Sequence, residues 1–372
     1  MARELATMGH MPVIIVPPWD APENADRLEI SHGIPVRNVG VPLGLLRHPG
    51  STFHLLRAVL AERPDVVVCV KPKAYAALLA LLFAQMSQRQ GGPIRLVVDT
   101  DDWEGSGGWI DMGDTPLLLR PLVSLHERLA LRCADQVIVA SRELQVLVSG
   151  IGVPQTRITY VPNGSWEGAA GWQKGDRKRG RDQLGLRDEP LILLYSRLFE
   201  FDREHVVQEI GRILSAIPDA RLLVVGIGLN NEEDWFRLAL NDHGLLDRSH
   251  LIGWVERPLL PDILAAADIA IVPMSDSRVN RSRCSVKLLD LMLAGIPTVA
   301  DRVGQVPEFL TDGVSGITVD PSSATAMSKE VIELLRNPAR AQSIGRAAEM
   351  RARFDLRWDH HRFAISRAIL GS

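Results

Sequence analysis

The sequence predicts an α/β fold with two domains, and three observations support this. The chain has 372 residues, which is enough for two domains at roughly 100–200 residues each. Short runs rich in Val, Ile and Leu alternate with longer segments of helical periodicity, a pattern typical of parallel sheets whose strands are joined by helices. A polar stretch, residues 166–189, separates two such series and has the composition of a linker.

The first series contains five predicted strands and three predicted helices. The strands are 13–16, 66–70, 96–99, 136–140 and 158–161, and the helices are 52–62, 74–88 and 118–133. Residues 2–9 have the pattern of the end of a helix that leads directly into the strand at Val13. Because a doubly wound domain normally opens with a strand, we expect a truncated or misassigned chain start.

The second series repeats this alternation after the polar stretch. Its strands are 191–195, 221–225, 251–253, 269–272, 298–300 and 316–319, and its helices are 204–216, 232–243, 259–267, 286–294 and 323–336. The predicted domains are therefore 1–165 and 190–354, joined by the linker 166–189.

Composition and charge exclude several classes of protein. Lys and Arg number 42 against 45 Asp and Glu, so the chain lacks the overall basic character of a nucleic-acid-binding protein. The three cysteines, at 69, 133 and 284, allow neither a disulfide framework nor a Cys-x-x-Cys metal pair, which fits a reducing compartment. The longest apolar run, residues 74–84, is too short to span a bilayer, and the start lacks the pattern of a signal peptide. We expect a cytoplasmic protein.

A candidate anion site begins the predicted helix 286–294. Ser285 is a plausible N-cap, and the free N–H groups of Val286 and Lys287 together with the helix dipole favour a phosphate there. Asp290 lies one turn further on the same face, where a carboxylate accepts hydrogen bonds from sugar hydroxyls. Arg283 adds positive charge beside the helix start. The alternative is a surface helix with a capped start and scattered basic residues.

Two further candidates follow strands of the second series. Arg197 comes just after the strand 191–195, at the edge where open α/β sheets bind ligands, and its planar guanidinium suits a diphosphate. Gly226 and Gly228 follow the strand 221–225 and permit close approach of a ligand to the backbone. Asn231 occupies the place of a third glycine, so the dinucleotide-binding fingerprint is incomplete and does not support a nicotinamide-dependent dehydrogenase.

In order and spacing, these segments resemble glycosyltransferase family 4. The matching runs are LRCADQVIVASREL (131–144), RITYVPNGS (157–165), HLIGWV (250–255), AAADIAIVPM (265–274), KLLDLMLAGIPTVA (287–300) and VGQVPEFLTDGVSGITVDP (303–321). GHMPVIIVPP (9–18) is similar to the family's second strand. The resemblance implies the GT-B fold, in which two Rossmann-like domains face each other across a cleft. It also implies that residues 355–372 cross back onto the first domain.

The resemblance assigns donor-binding roles to residues of the second domain. The diphosphate-binding Arg of the family falls on Arg197, and the phosphate-holding backbone positions fall on Val286 and Lys287. A family Lys falls on Asp202, so Arg203, or Arg283 with Lys287, would supply the charge instead. In the paired-glutamate motif, the ribose-binding Glu falls on Asp290 and the first Glu on Ser282. The donor-binding candidates are Arg197, Arg203, Gly226, Gly228, Trp254, Ser282, Arg283, Ser285, Val286, Lys287, Asp290 and Glu308.

The catalytic candidates are Asp101, Asp102 and Glu104, which follow the predicted strand 96–99. Carboxylates at such an edge suit sugar hydroxyls or a developing oxocarbenium charge. The family's active-site His falls on Asp101, so Asp101 or Asp102 either orients the transferred sugar or receives the acceptor proton. Asp99 and Asp101 also form an Asp-x-Asp pair typical of metal-dependent glycosyltransferases of another fold. GT-B enzymes do not normally need that metal, so we expect no metal site.

The predicted function is transfer of a sugar from a nucleotide-diphosphate-sugar to an acceptor hydroxyl, and the resemblance implies retention of configuration. The acceptor is a glycan, a lipid-linked molecule or a small molecule. The alternative is a catalytically inactive GT-B-like protein that binds a nucleotide or glycan, because the family Lys and first Glu are replaced. No separate cofactor and no nucleic-acid partner are expected. The basic cluster Lys174, Arg177, Lys178, Arg179 and Arg181 either touches acidic lipid headgroups at the inner membrane face or is a solvated linker surface.

Overall fold

A computed structural model describes residues 1–19, 21–42, 44, 47–89, 94–112, 115–166 and 172–371. The helices are α1 (Ala2–Thr7), α2 (Arg47–Ala61), α3 (Tyr75–Arg89), α4 (Trp109–Met112), α5 (Arg120–Cys133), α6 (Arg142–Gly150), α7 (Arg177–Leu184), α8 (Arg203–Ala216), α9 (Glu232–Asp242), α10 (Leu260–Ala265), α11 (Arg278–Ser282), α12 (Val286–Leu293), α13 (Val306–Phe309), α14 (Ala326–Arg336), α15 (Pro338–Phe354) and α16 (Arg362–Leu370). The strands are β1 (Ile14–Val16), β2 (Leu28–Ser31), β3 (Ile34–Asn38), β4 (Val66–Val70), β5 (Arg95–Thr100), β6 (Gln136–Val139), β7 (Ile158–Tyr160), β8 (Leu191–Tyr195), β9 (Arg221–Val225), β10 (Ser249–Gly253), β11 (Ile269–Val272), β12 (Thr298–Asp301) and β13 (Ile317–Val319).

The chain folds as two compact units. The first unit comprises Met1–Pro162, Ser282–Cys284 and Trp358–Ser372. The second unit comprises Asn163–Arg281 and Ser285–Arg357. Each unit is built around parallel strands, as the alternation of strand and helix patterns predicts.

Among the residues that the structure describes, the first unit has two sheets. The larger one pairs β4, β5, β6 and β7 in parallel and in chain order. The smaller one has the order β1-β3-β2, with β1 and β3 parallel and β2 antiparallel to β3. The C-terminal helix α16 packs Ile365, Ala368 and Ile369 against the buried Val97 and Ile138 of the larger sheet.

The hairpin formed by β2 and β3 is missing from the sequence prediction. All four residues of β2 are exposed and β3 contains Pro35, so neither run shows the apolar pattern of a buried strand. The turn between them, His32 and Gly33, has φ values of 50° and 80°. Positive φ at both central residues is the geometry of a two-residue hairpin turn. Gly33, at the second position of this turn, was therefore the local sequence feature that could have predicted the hairpin.

The second unit contains one parallel sheet with the strand order β10-β9-β8-β11-β12-β13. The direction in which strands are added reverses between β8 and β11, which is the topological switch point of a doubly wound sheet. Leu191 to Leu194 of β8 are all 0% exposed, because other elements cover both faces of this central strand. All six strands were predicted, with ends that differ by at most two residues.

Helix α15 was not predicted. The residues that it buries are Ile344, Gly345, Ala348 and Ala352, and three of these four are small. Small residues permit close packing but produce a weak apolar pattern, so the periodicity of the sequence did not reveal this helix.

The basic cluster in the predicted linker is used for packing inside the second unit. Helix α7 packs against α10. Arg177 and Arg181 pair with Asp268 at 2.5 and 2.7 Å, and Arg179 pairs with Asp262 at 2.5 Å. Lys178 pairs with Asp182 within α7. These carboxylates offset most of the charge of the cluster, which weakens its interpretation as a lipid-binding surface.

Within the described ranges, none of the helices combines the length and the apolar character needed to cross a membrane.

Candidate functional site

The first part of the site lies at the switch point of the second unit. Tyr195 is the last residue of β8, and Ser196 and Arg197 follow it directly. Gly226 follows β9 with φ at 121°, and a Cβ atom there would lie 2.0 Å from the carbonyl oxygen of Ser196. Glycine is therefore required for the two strand ends to approach this closely. Because ligands of doubly wound sheets bind at such edges, Arg197 has the position expected for an anion-binding residue.

Glu200 joins the loop after β8 to the start of α12, and sequence reasoning missed it. One carboxylate oxygen accepts hydrogen bonds from the Ser196 hydroxyl at 2.7 Å and the Arg197 N–H at 3.3 Å. The other accepts from the Lys287 ammonium at 2.7 Å. Glu200 is buried, so these bonds are shielded from water. The loop that carries Arg197 and the first turn of α12 are thus held by one carboxylate.

The start of α12 has the predicted capped geometry. The Ser285 hydroxyl accepts a hydrogen bond from the N–H of Leu288 at 3.3 Å. The N–H groups in the first turn of a helix have no acceptor within the helix, and those of Val286 and Lys287 belong to this set. Val286 is exposed, so a ligand can reach this end of the helix. The ammonium of Lys287 is ion-paired with Glu200, which offsets its charge, and the backbone N–H groups and the helix dipole also provide positive potential here.

Asp290 is buried one turn further along α12. The Tyr195 hydroxyl hydrogen-bonds its carboxylate, and Arg257 lies 3.9 Å from one oxygen. Burial raises the pKa of Asp290 to about 6, although Arg257 and Lys287 oppose the shift. Burial and the Asp290 carboxylate raise the pKa of Tyr195, so the phenol stays protonated. Tyr195 and Arg257 were not among the sequence candidates.

Asp202, which falls on a lysine of the family pattern, has a structural role in this chain. Asp202 is the N-cap of α8, and its carboxylate accepts a hydrogen bond from the N–H of His205 at 2.8 Å. Arg203, the proposed substitute, has its guanidinium 5.5 Å from the ring centre of Trp235. Its charge therefore lies against an aromatic face at the start of α8.

The loop after β9 satisfies its own backbone. The N–H of Gly228 donates to Glu233 at 2.9 Å, and the N–H groups of Leu229 and Asn230 donate to Glu232 at 2.6 Å. The two carboxylates occupy the donors that would otherwise hold a phosphate. This arrangement disfavours the predicted donor contact at Gly228.

Trp254 and Glu308 are the remaining candidates of the second unit. Trp254 directly follows β10 and is 70% exposed. Glu308 lies in α13, and its backbone carbonyl accepts a hydrogen bond from Arg351 at 2.9 Å.

Ser282 and Arg283 group with the first unit and not with the donor-binding candidates that follow them in sequence. The carbonyl of the fully buried Ser282 accepts a hydrogen bond from the Ser141 hydroxyl at 2.6 Å. The Nε of Arg283 lies 4.0 Å from Asp102, and its guanidinium is 5.7 Å from the ring centre of Trp109. The structure therefore associates Arg283 with the acidic candidates of the first unit.

Two lysines form ion pairs with the three acidic residues that follow β5. Lys71 lies 2.8 Å from Asp102 and 3.2 Å from Asp101, and Lys73 lies 3.0 Å from Glu104. Strands β4 and β5 are parallel neighbours, so the residues after each strand meet at one edge of the sheet. The predicted strand 66–70 is followed by Lys-Pro-Lys, and that pattern was sufficient to place both lysines at this edge. We call Lys71, Lys73, Asp101, Asp102 and Glu104 the paired cluster.

Burial shapes the charges of the paired cluster. It raises the pKa of Asp101, whereas Lys71 lowers that pKa. For Lys71, burial lowers the pKa, but Asp102 and Asp101 raise it by more, so the ammonium is retained. Below the cluster, the buried Glu127 of α5 accepts a hydrogen bond from the N–H of Glu104 at 2.9 Å. Burial raises the pKa of Glu127 to about 8.

The two carboxylates of the Asp-x-Asp pair lie in different surroundings. Asp99 is part of β5, and burial raises its pKa to about 7, with a further contribution from Asp101. Asp101 instead lies beyond the strand and pairs with Lys71. In the part of the chain that the structure describes, no three His, Cys, Asp or Glu side chains are grouped to hold a metal ion.

Comparison with known families matches two models. The model described as "Glycosyl transferase 4-like domain" matches residues 1–164, and the one described as "Glycosyl transferases group 1" matches residues 189–337. Together the two matches cover most of the chain.

Curated relatives include transferases of several sugars. A GDP-mannose-dependent alpha-(1-6)-phosphatidylinositol monomannoside mannosyltransferase of Mycolicibacterium smegmatis is 24% identical over 352 residues, which are 94% of this chain and 87% of that protein. The 2-deoxystreptamine glucosyltransferase of Streptomyces kanamyceticus is 26% identical over 61% of this chain and 58% of its own length.

Solved structures agree in fold. Sucrose-phosphate synthase from Thermosynechococcus elongatus has a TM-score of 0.73 at 18% identity, over 98% of this chain and 90% of that chain. HepE from Anabaena, solved in complex with UDP, has a TM-score of 0.69 at 18% identity, over 92% and 87% of the two chains.

Proposed function

This chain belongs to glycosyltransferase family 4, and we propose that its second unit holds the nucleotide diphosphate of the donor while its first unit acts on the transferred sugar. The fold is GT-B, and the activity is transfer of a hexose from a nucleotide-sugar to an acceptor. The observation that carries the proposal is the position of Glu200, which holds the Arg197 loop and the start of α12 at the switch point.

The diphosphate is bound by hydrogen-bond donors from a side chain and from the backbone. The guanidinium of Arg197 donates to two phosphate oxygens, and the N–H groups of Val286 and Lys287 donate to the others. In a glycosyl transfer, negative charge grows on the leaving diphosphate as the bond to the sugar breaks. Donors that are held in place before this step stabilise the charge with no further reorganisation.

The ribose is bound by Asp290. An ionised carboxylate accepts hydrogen bonds from both ribose hydroxyls, and aspartate reaches less far than the glutamate of the family pattern. The Tyr195 hydroxyl, hydrogen-bonded to the same carboxylate, orients it. Arg257 helps to keep the carboxylate ionised.

The carboxylates of the paired cluster act on the sugar or on the acceptor hydroxyl. Lys71 offsets the charge of Asp101 and Asp102, so the cluster holds two carboxylates close together without strong repulsion. A carboxylate whose pKa burial raises is a better proton acceptor, and this supports Asp101 as the group that receives the acceptor proton. The proposal includes retention of the anomeric configuration.

We propose GDP-mannose as the donor and a lipid-linked hydroxyl as the acceptor. The mannosyltransferase from Mycolicibacterium smegmatis, similar over 94% of this chain, uses GDP-mannose and a phosphatidylinositol monomannoside according to its name. UDP is the alternative nucleotide, since HepE was solved with UDP bound. Contact with a membrane surface and a cytoplasmic location belong to the same proposal.

A nucleotide screen followed by a transfer assay tests the proposal. We expect GDP to raise the unfolding temperature more than UDP or ADP, because binding to the native state alone stabilises it. The preferred nucleotide-sugar should then be consumed when an extract of lipid-linked glycans is added, and NMR of the product reports the anomeric configuration. Nucleotide binding without transfer or hydrolysis of any donor would support the catalytically inactive alternative. Absence of nucleotide binding would contradict the proposed donor site.

A further inference from the structure

Five leucines form an exposed apolar surface on the first unit. They lie in the 3-10 turn Leu117–Leu119 and in the first half of α5, and we call them the leucine surface. Their exposed fractions are 74% for Leu117, 94% for Leu118, 49% for Leu119, 47% for Leu122 and 49% for Leu125. Clustered exposed apolar side chains of this kind mark interaction sites more often than single ones do.

The first part of helix α5 has the reverse of the usual polarity. A helix on the surface of a globular protein normally buries its apolar side chains and exposes its charged ones. From Arg120 to Glu127, α5 buries Ser124 and Glu127 whereas Leu122 and Leu125 face outward, and only its last part buries apolar side chains, Ala130 and Leu131. The hydrogen bond from the N–H of Glu104 to Glu127 and the packing of α5 against α3 support this orientation. The leucines are therefore held outside by a specific contact on the opposite face.

The charged residues of α5 indicate which kind of partner binds the leucine surface. Between Leu117 and Cys133 the only acidic residue is Glu127, and it is buried. Arg128 and Arg132 are exposed, and they follow Leu125 at the spacing of one face of a helix. Leucines followed by cations on one helical face are typical of segments that lie in the interface of an anionic bilayer.

We propose that the leucine surface, with Arg128 and Arg132, docks this protein onto an anionic lipid bilayer. The leucines enter the boundary between headgroups and acyl chains, and the guanidinium groups pair with lipid phosphates. The inference deepens the proposed function, which already includes contact with a membrane, by naming the surface that makes this contact. It rests on α5 and on none of the donor-binding residues. It also suits a lipid-linked acceptor, since the opposite face of the same helix carries Glu127, which holds the backbone of Glu104.

Vesicle co-sedimentation of the full chain tests the proposal. The probes are vesicles of equal parts phosphatidylcholine and phosphatidylglycerol, and vesicles of phosphatidylcholine alone. We expect binding to the anionic vesicles and much weaker binding to the neutral ones. The double variant Leu118→Glu/Leu122→Glu should bind the anionic vesicles at least about tenfold more weakly, because each leucine loses its apolar burial. Arg128→Gln/Arg132→Gln should lose most of the preference for the anionic vesicles.

Val146→Glu is the matched control, since Val146 is a 66% exposed apolar residue of α6 in the same unit. It should bind vesicles as the wild type does. Equal binding by the wild type and the leucine variant, or no binding of the wild type to either vesicle, would overturn the proposal. A concentration-dependent dimer that the leucine variant abolishes would assign the surface to a second copy instead. Nucleotide affinity of the leucine variant, measured by calorimetry, should be unchanged, so failure here is distinct from failure of the donor site.

Discussion

The Lys287 ammonium lies 2.7 Å from the Glu200 carboxylate, and this contact links the first turn of α12 to the loop after β8. Both side chains are largely removed from water, with exposed fractions of 19% and 6%. Lys287 therefore contributes less positive charge to a bound diphosphate than its sequence position suggests. Its ion pair instead sets where the helix start lies relative to Arg197.

A double-mutant cycle measures the coupling free energy between Glu200 and Lys287. Glu200→Gln and Lys287→Met should each lower the free energy of unfolding, and the coupling between them should be about 1.5–3 kcal/mol, the range for charged hydrogen bonds. Urea denaturation of the wild type, the two single variants and the double variant gives the coupling. A coupling near zero would mean that the two groups do not stabilise each other.

Arg197→Ala should weaken binding of nucleoside diphosphate by about 1.5–3 kcal/mol, because a charged hydrogen-bond donor to the phosphates is lost. Arg197→Lys should recover only part of the loss, since an ammonium cannot donate as a planar fork. Isothermal calorimetry with GDP and UDP measures both. Arg346→Ala, at an exposed arginine of α15, is the matched control and should bind normally. Normal affinity in Arg197→Ala would remove this residue from the donor site.

Asp101→Asn and Asp102→Asn should lower turnover far more than donor affinity. An amide keeps the size of the carboxylate but neither accepts a proton nor carries charge. Steady-state transfer rates and calorimetric donor affinities of the same preparations separate the two effects. If both variants transfer sugar at the wild-type rate, the paired cluster has a structural role only.

Lys71→Ala should also reduce turnover, because Asp101 and Asp102 would repel each other once their shared cation is removed. The pKa of Asp101 should rise further, since Lys71 now lowers it, and the rising limb of the pH–rate profile should move to higher pH. Lys71→Arg should restore most of the activity. An unshifted profile in Lys71→Ala would show that the lysine does not control these carboxylates.

Asp290 should make stability depend on pH in a defined direction. Its pKa is about 6 in the folded protein, above the ordinary value of 3.8. Between these two values the folded state binds more protons than the unfolded state, so stability falls as pH rises through this window. Relative to Asp290→Asn, the wild type should lose about 2–3 kcal/mol between pH 4 and pH 7. Denaturation of both proteins across this range checks the sign, and a constant difference would contradict the buried, ionisable state.

The raised pKa of Asp290 should also make nucleotide affinity depend on pH. The carboxylate that accepts ribose hydroxyls forms above a pH of about 6, so nucleotide affinity should rise between pH 5 and pH 7 in the wild type. Asp290→Asn should bind weakly and show little of this dependence. Calorimetry at several pH values measures it.

Local patterns were sufficient for most elements of the fold. Strands β8, β9 and β11 of the second unit are largely apolar runs with almost every residue buried, so their sequence pattern alone identifies them. The hairpin β2–β3 and helix α15 were missed because the first is exposed and the second packs through small residues. In both elements the sequence shows little apolar periodicity, because few large apolar side chains are buried.

The sequence alone established the order of the motifs, the N-cap at Ser285 and the acidic residues after β5, from which most of the candidate site residues were predicted. Only the tertiary structure decided which charges are already compensated: Lys287 by Glu200, Asp101 and Asp102 by Lys71, and the loop at Gly228 by Glu232 and Glu233. It also decided that Arg283 lies beside Asp102 and that Leu122 and Leu125 of α5 face outward. The physical reason is that ion pairing and exposure depend on distances between residues far apart in the chain, whereas caps and periodic patterns are set by near neighbours.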